Sequence, residues 1–239
     1  MSRPAVPDGA GVRRALIVLG GDAVAIEHAA GIPAHDVVIA ADSGVDQAHR
    51  LGLMVDVAIG DFDSVTADGL ERAERQGAQV HRHPIAKDAT DFELALDAAR
   101  SLGVSSAAVI GGGGGRLDHL LANALVMASP RYQSLDLVAY DALARLHVVR
   151  RHARISGEPG ETVTLLAVNG PATGITTTGL RYPLTGEQLD PGSSRGVSNE
   201  LVDTEAEITV ESGVLLAVLP GPAIGVAPPS ERPAEGTPT

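Results

Sequence analysis

The sequence predicts an α/β N-terminal domain, a mostly parallel sheet flanked by helices, followed by a C-terminal all-β unit. Three observations predict it. Between residues 15 and 140, six short apolar runs alternate with helical stretches, and continuous apolar runs mark parallel strands buried on both faces. Near residue 150 the rhythm changes, and four further apolar segments follow with no helix between them. The turn signals Asn169-Gly170-Pro171, Asp190-Pro191-Gly192 and Ser212-Gly213 divide those segments, which is the pattern of an antiparallel sandwich or barrel. The length of 239 residues suits one large domain or two small ones.

In chain order, residues 15–19 form the first strand and end in Gly20-Gly21-Asp22. Residues 36–40 form the second, followed by Asp42-Ser43-Gly44 and a helical stretch to about Arg50. The third, 55–59, runs into Gly60-Asp61-Phe62-Asp63-Ser64, and residues 79–82 form the fourth. Thr90 with Glu93 three residues later is a capping box that opens a helix running to about Leu102. Residues 107–110 are the fifth strand, ending in the glycines 111–115, and residues 135–140 are the sixth. In an open sheet of this Rossmann-like kind, ligands bind beyond the carboxyl ends of the strands. Gly20, Asp42, Asp61 and the glycines from Gly111 all fall there. The later strands are 161–168, 174–178, 205–210 and 214–219. From Gly221 onward, repeated prolines and polar residues predict a disordered tail. The expected boundaries are therefore 12–150, 151–220 and 221–239.

Composition narrows the function. Hydrophobic residues make up 44% and aromatics 2%, so the core is large and aliphatic. With no cysteine, disulfides and thiolate metal sites are excluded, which fits a cytoplasmic protein. A net charge of −12 repels nucleic-acid phosphates and anionic lipid heads alike. The same repulsion applies to a polyphosphate, so docking one in an acidic cleft requires a divalent cation. Residues 1–11 lack the apolar core of a signal peptide, and no apolar run reaches membrane-spanning length.

The chemistry concentrates in a few segments. Asp61 and Asp63 are separated by one residue, so in extended backbone they point to the same side. They repel each other, and a cation between them relieves the cost. Aspartates are also common in turns after strands. Gly60, Ser64 and the further acids Asp42, Asp91 and Asp118 favour the metal reading, because magnesium takes oxygen ligands and completes its shell with phosphate and water. Asp91 suits the first turn of its helix whatever else it does; the functional reading puts it on the metal, with Lys87, the single lysine, near a phosphate. The glycines 111–115, including Gly114 and Gly115, let the backbone approach a ligand closely. The helix start that follows offers free amides to an anion, and Arg116 forks onto phosphate oxygens; a flexible loop with an Arg116–Asp118 ion pair is the plainer alternative. His119 reads as structural. No phosphate-binding loop of the G-x-x-x-x-G-K-[ST] type, no G-x-G-x-x-G fingerprint and no G-x-S-x-G elbow is present. In the second unit Tyr182, Ser198 and Asn199 stand out, although packing and a turn account for them equally well.

Ala41-Asp42-Ser43-Gly44, Gly60-Asp61-Phe62-Asp63-Ser64, Thr90-Asp91, Gly115-Arg116-Leu117-Asp118-His119, Gly179-Leu180-Arg181-Tyr182 and Ser198-Asn199, in that order and spacing, resemble the thiamine pyrophosphokinase family from about Ala15 to Leu219. The resemblance implies an α/β domain, a C-terminal β-sandwich, and a homodimer whose active sites lie between subunits. It implies that Asp61, Asp63 and Asp91 hold Mg2+. Asp42, Thr90, Arg116 and Asp118, with Gly20, Lys87, Gly114 and Gly115, would surround ATP. Tyr182, Ser198 and Asn199 would bind thiamine, with Tyr182 stacking on a ring where some members carry tryptophan. The implied reaction moves the pyrophosphoryl group of ATP to the thiamine hydroxyl, giving thiamine diphosphate and AMP. The alternatives are a pyrophosphokinase for another alcohol, such as a hydroxymethyl pterin, and a non-catalytic nucleotide sensor.

Overall fold

The computed structural model describes residues 13–21, 32–84, 88–112, 116–141 and 144–221. Lys87, Gly114, Gly115 and nearly all of the expected C-terminal tail lie outside the described residues. The first six strands are β1 (Arg14–Val18), β2 (Val37–Ala41), β3 (Val57–Gly60), β4 (Gln79–Arg82), β5 (Ser106–Ile110) and β6 (Asp136–Tyr140). They lie parallel in the order β4-β3-β2-β1-β5-β6. Each falls close to its expected place; the strands buried on both faces announce themselves as unbroken apolar runs, whereas β4, Gln79-Val80-His81-Arg82 at the edge of the sheet, is largely exposed. The chain adds strands to one side of β1 and then to the other, so the order reverses between β1 and β5. Crevices at such reversals hold ligands.

Successive side chains of a strand face opposite sides, and the core divides accordingly. Leu16, Val18, Val38 and Ala40 pack with Val45 and Ala48 of α1 (Gly44–Arg50) and with Leu70 and Ala73 of α2 (Ala67–Arg75). Ala15, Ile17, Val37 and Ile39 pack with Phe92, Ala95, Leu96 and Ala99 of α3 (Asp91–Ser101). The expected capping box is present: the Glu93 amide donates to Thr90 Oγ1 and the Thr90 amide to the Glu93 carboxylate, both at 3.2 Å. The helix α4 (Leu117–Ala128) also lies on this face, but only Met127 and Ala128 are buried in it. Its C-terminal end is pinned: Arg150 Nη2 donates to the Met127 and Ser129 carbonyls, and Asn169 Nδ2 donates to the Ala128 carbonyl. Both donors offset the orphan carbonyls of a helix end.

The second half is β-rich: β7 (Ala144–Val149), β8 (His152–Ser156), β9 (Thr162–Thr178), β10 (Glu187–Leu189), β11 (Asn199–Glu200), β12 (Glu205–Thr209) and β13 (Ser212–Pro220). The sheet continues without a break, because β7 pairs antiparallel with β6 and β13 pairs with β7 and β9. Leu216 of β13 joins the core under α3, while Leu215 and Ala217 join a second core with Val163, Leu165, Ile175 and Ile208. The alternation of one strand thus serves both halves.

Two expectations are corrected here. The strands expected at 161–168 and 174–178 are one strand, β9, bent rather than broken. Asn169 (φ 62°) and Gly170 (φ 134°) take the positive backbone angles of a turn, but they carry the strand on from β13 to β12 instead of reversing it. β7, β8, β10 and β11 were not expected, because Arg145, His147, His152 and Arg154 interrupt their apolar pattern or the segment is too short to show one. Among the described residues no helix is long and apolar enough to cross a membrane.

His147 of β7 has a stability consequence. Its Nε2 is buried without a hydrogen-bond partner, and desolvation, aided by Arg145, lowers its pKa from 6.5 to about 4. The unfolded chain therefore takes up a proton at a pH where the native state does not. This contribution is fully present above pH 6.5 and is lost as pH falls towards 4, by at most roughly 3 kcal/mol. Replacing His147 with Leu should flatten the fall in melting temperature between pH 7 and 4.5; an unchanged slope would show that the ring titrates normally.

Candidate active site

The C-terminal ends of β1, β2 and β3 build the site. Gly44 starts α1 so close beneath β1 that a Cβ at this position would sit 2.1 Å from the Val18 carbonyl oxygen. That approach sets the height of Asp42, which leaves β2 with φ 46° and donates its amide to the Ile59 carbonyl at 2.9 Å. Gly60 (φ 148°) ends β3 beside it; a Cβ there would lie 3.3 Å from the Asp42 backbone and 3.1 Å from Asp91 Oδ1. Phe62, also at positive φ, is buried, with the Arg82 guanidinium 5.4 Å from its ring centre. This turns Asp61 and Asp63 upward. Asp61 Oδ1 accepts the Asp63 amide at 3.2 Å, and Ser64 donates to Asp63 at 2.7 Å.

The outcome is an acidic cluster. Carboxylate oxygens of Asp42, Asp61 and Asp63 lie within 4.8 Å of one another. Asp42 Oδ1 is buried with no hydrogen-bond donor. Burial, and then repulsion from Asp91, Asp61 and Asp63, raises the Asp42 pKa, although the Ser43 amide works against the shift. A desolvated oxygen facing like charges is costly unless a cation sits against it. The donor set, all hard oxygen and one carboxylate deep, fits Mg2+. Sequence reading placed Asp61, Asp63 and Asp91 on the ion and Asp42 among the phosphates. The structure gathers Asp42 with Asp61 and Asp63, and sets Asp91 next to them on the first turn of α3 beside the exposed Thr90.

At the reversal between β1 and β5, Gly20 packs against Ser43, whose Oγ lies 2.0 Å from where a Cβ on Gly20 would be. Gly111 and Gly112 carry φ of 83° and 80°. Beneath them is Gln47, fully buried, with Nε2 2.9 Å from a notional Cβ on Gly111. Sequence reading missed it; the only hint was its place, beside Asp46, between the apolar Val45 and Ala48 of α1. Arg116 and Asp118 flank the start of α4 as a bidentate pair, Nε–Oδ1 2.9 Å and Nη2–Oδ2 2.6 Å, both solvent-exposed. The guanidinium holds the Asp118 carboxyl well below the usual carboxylate range.

In the second half, a cavity of about 280 Å³ is lined by Leu165, Tyr182, Leu184, Arg195, Gly196 and Asn199. Asn199 is buried and clamps the Tyr182 backbone: its Oδ1 accepts the Tyr182 amide at 3.0 Å and its Nδ2 donates to the Tyr182 carbonyl at 2.8 Å. The Tyr182 ring is left 62% exposed at the rim. Ser198 is exposed at φ 60°, with its amide donating to Thr164 Oγ1; it does not line the cavity. Arg195, paired with Glu187, was missed because its segment reads as an ordinary turn.

Comparison with known proteins places these features in context. A family model described as thiamin pyrophosphokinase, catalytic domain, matches residues 31–139. A second, described as thiamin pyrophosphokinase, vitamin B1 binding domain, matches residues 145–215. The chain is 26% identical over 186 residues to a thiamine pyrophosphokinase of Bacillus subtilis, spanning 77% of this chain and 87% of that protein. A crystal structure of the B. subtilis thiamine pyrophosphokinase superposes with a TM-score of 0.75 at 25% identity, covering 87% of this chain and 99% of that one. One from Geobacillus thermodenitrificans gives 0.72 at 26% identity, covering 87% and 97%.

Proposed function

The chain belongs to the thiamin pyrophosphokinase family, and on that footing we propose that it transfers the β,γ-pyrophosphoryl group of ATP to the hydroxyethyl oxygen of thiamine. The observation that carries the reading is the convergence of Asp42, Asp61 and Asp63, with Asp91 beside them, at the carboxyl edge of the sheet. In this reading residues 12–150 form a Rossmann-like nucleotide half and residues 151–220 a thiamine-binding half of a cytoplasmic enzyme. Asp42, Asp61 and Asp63, with Asp91 from α3, would hold Mg2+, which when bound would supply positive charge against the phosphate oxygens.

The thiamine oxygen attacks the β-phosphorus, and the bond from that phosphorus to the α,β-bridging oxygen breaks. The electron pair leaves with AMP, and the hydroxyl proton passes to a carboxylate of the acidic edge or to water. Arg116 exchanges its exposed partner Asp118 for phosphate oxygens and balances charge where AMP departs. Gly20, Thr90 and the glycines through Gly114 and Gly115, with Lys87, border the triphosphate. Tyr182 stacks on a thiamine ring, and Asn199 fixes the backbone that carries it.

A homodimer with active sites between subunits is part of the proposal. Leu117, Leu121 and Leu125, four residues apart on α4, are each more than half exposed, and a helix apolar on its outer face as well as its inner one belongs in an interface.

The test is purified protein with ATP, Mg2+ and either thiamine or a hydroxymethyl pterin, with products identified by mass. Thiamine diphosphate and AMP are expected with thiamine alone. Pterin diphosphate, or ATP binding with no AMP in either mixture, overturns the reading. Tyr182→Ala should raise the KM for thiamine about tenfold, the worth of one aromatic stack, and leave that for ATP unchanged. An unaltered thiamine KM removes Tyr182 from the site.

A further inference from the structure

The last residue of β4, Arg82, stands against the loop that carries Asp61 and Asp63. We propose that Arg82 is a positioning residue for the metal site: through the ring of Phe62 it keeps the two aspartates turned toward Asp42, an inference that rests on the Mg2+ reading above. Between Gly60 and Thr66 the chain leaves the sheet and is tied at both ends. The Gly60 carbonyl accepts the His83 amide at 2.8 Å. Asp46 accepts the Thr66 amide at 2.8 Å and the Thr66 hydroxyl at 2.6 Å. Of residues 61–65 only Phe62 is buried, so its ring anchors the stretch between the ties. Phe62 holds φ 62°, a conformation that an aromatic residue adopts at a cost. That turn lets Asp61 Oδ1 accept the Asp63 amide at 3.2 Å. It also leaves carboxylate oxygens of Asp61, Asp63 and Asp42 within 4.8 Å of one another.

Arg82 offsets the cost of that turn. Val80 and Arg82 lie two apart on β4 and share one face of the sheet. Val80 packs against the core beneath α1 and α2, and where the alternation calls for the next apolar side chain the sequence has arginine. Its guanidinium carbon lies 5.4 Å from the Phe62 ring centre, within cation–π range. Gly60 is its register partner on β3, so Arg82 arises one strand spacing from the residue that precedes Asp61. Glu74 of α2 meets Nη2 at 3.5 Å. That ion pair is exposed, 61% at Arg82 and 48% at Glu74, and adds little stability by itself; it restrains the guanidinium that lies over the ring. Charge alone predicts the opposite effect on the metal. A cation this near the acidic edge repels an incoming ion, so an arginine acting only by its charge would weaken Mg2+ binding, and its removal would strengthen it. The two roles therefore differ in sign.

The experiment measures Mg2+ binding to the full chain by calorimetry, without nucleotide, for wild type, Arg82→Met and Arg82→Lys. Methionine keeps an apolar stem and loses the cation; lysine keeps a cation without the planar group that stacks. The Kd for Mg2+ should rise about fivefold in Arg82→Met and by less in Arg82→Lys. Unchanged or tighter Mg2+ binding in Arg82→Met overturns the proposal whatever its melting temperature, because a merely structural residue changes stability and leaves the affinity alone. An equal loss in both variants overturns it as well. Should Arg82→Met fold poorly, Arg82→Lys decides: a Kd raised about twofold or more supports the proposal, and one unchanged or lowered overturns it. If wild type binds no Mg2+, the metal reading itself fails and takes this proposal with it.

Discussion

Asp42→Asn should make the ligand-free protein more stable and nearly abolish its turnover. Asparagine tolerates the positive φ of this position and keeps a similar shape. It removes the buried charge whose oxygen has no donor and which Asp91, Asp61 and Asp63 repel. Without Mg2+ the variant should melt a few degrees higher, a gain of about 1 kcal/mol of the kind seen when a strained functional group is relieved. Loss of one charged ligand from a site built to offset phosphate charge should lower kcat by about 10²-fold or more. Added Mg2+ should raise the melting temperature of wild type more than that of the variant. A variant that melts lower than wild type without metal, or gains as much from Mg2+, would show that Asp42 is a structural residue.

Gly44→Ala should be the most damaging single methyl in the first half. The added carbon meets the Val18 carbonyl oxygen at 2.1 Å and the Val18 carbonyl carbon at 2.8 Å. Both belong to the backbone of a central strand, so no flexible side chain can yield. The cost should approach 3 kcal/mol, the upper range for overpacking, or roughly 10 °C in melting temperature for a chain of this size. Because Gly44 sets the seat of Asp42 two residues earlier, Mg2+ affinity should fall as well. A melting temperature within about 2 °C of wild type would mean that α1 can move away from β1 without penalty.

These two residues also mark what the amino-acid pattern discloses. Strands buried on both faces, such as Val37–Ala41, and the capped start of α3 are legible because their signals are local: an apolar run, and Thr90 three residues before Glu93. Asp61 and Asp63 are legible as a pair for the same reason. That Asp42 completes their cluster is not, since its approach depends on Gly60 and on the register of β2 against β3. Gln47 and Arg195 escape notice because each is an ordinary residue for its segment and gains meaning only from what lies across from it. The bend in β9 misleads for a related reason: Asn169-Gly170 has the chemistry of a reversal, and only the carbonyl of Ala128, which Asn169 caps, and the partners β13 and β12 decide that the strand continues through the bend.

The antiparallel seam from Ala144↔Pro220 to Val149↔Leu215 makes the molecule mechanically indivisible. A fragment severed at residue 150 would present a raw hydrogen-bonding edge and a Val148 stripped of Leu216, both invitations to aggregate. Neither piece is a module that can be grafted onto another enzyme, and heat should melt the two in one step.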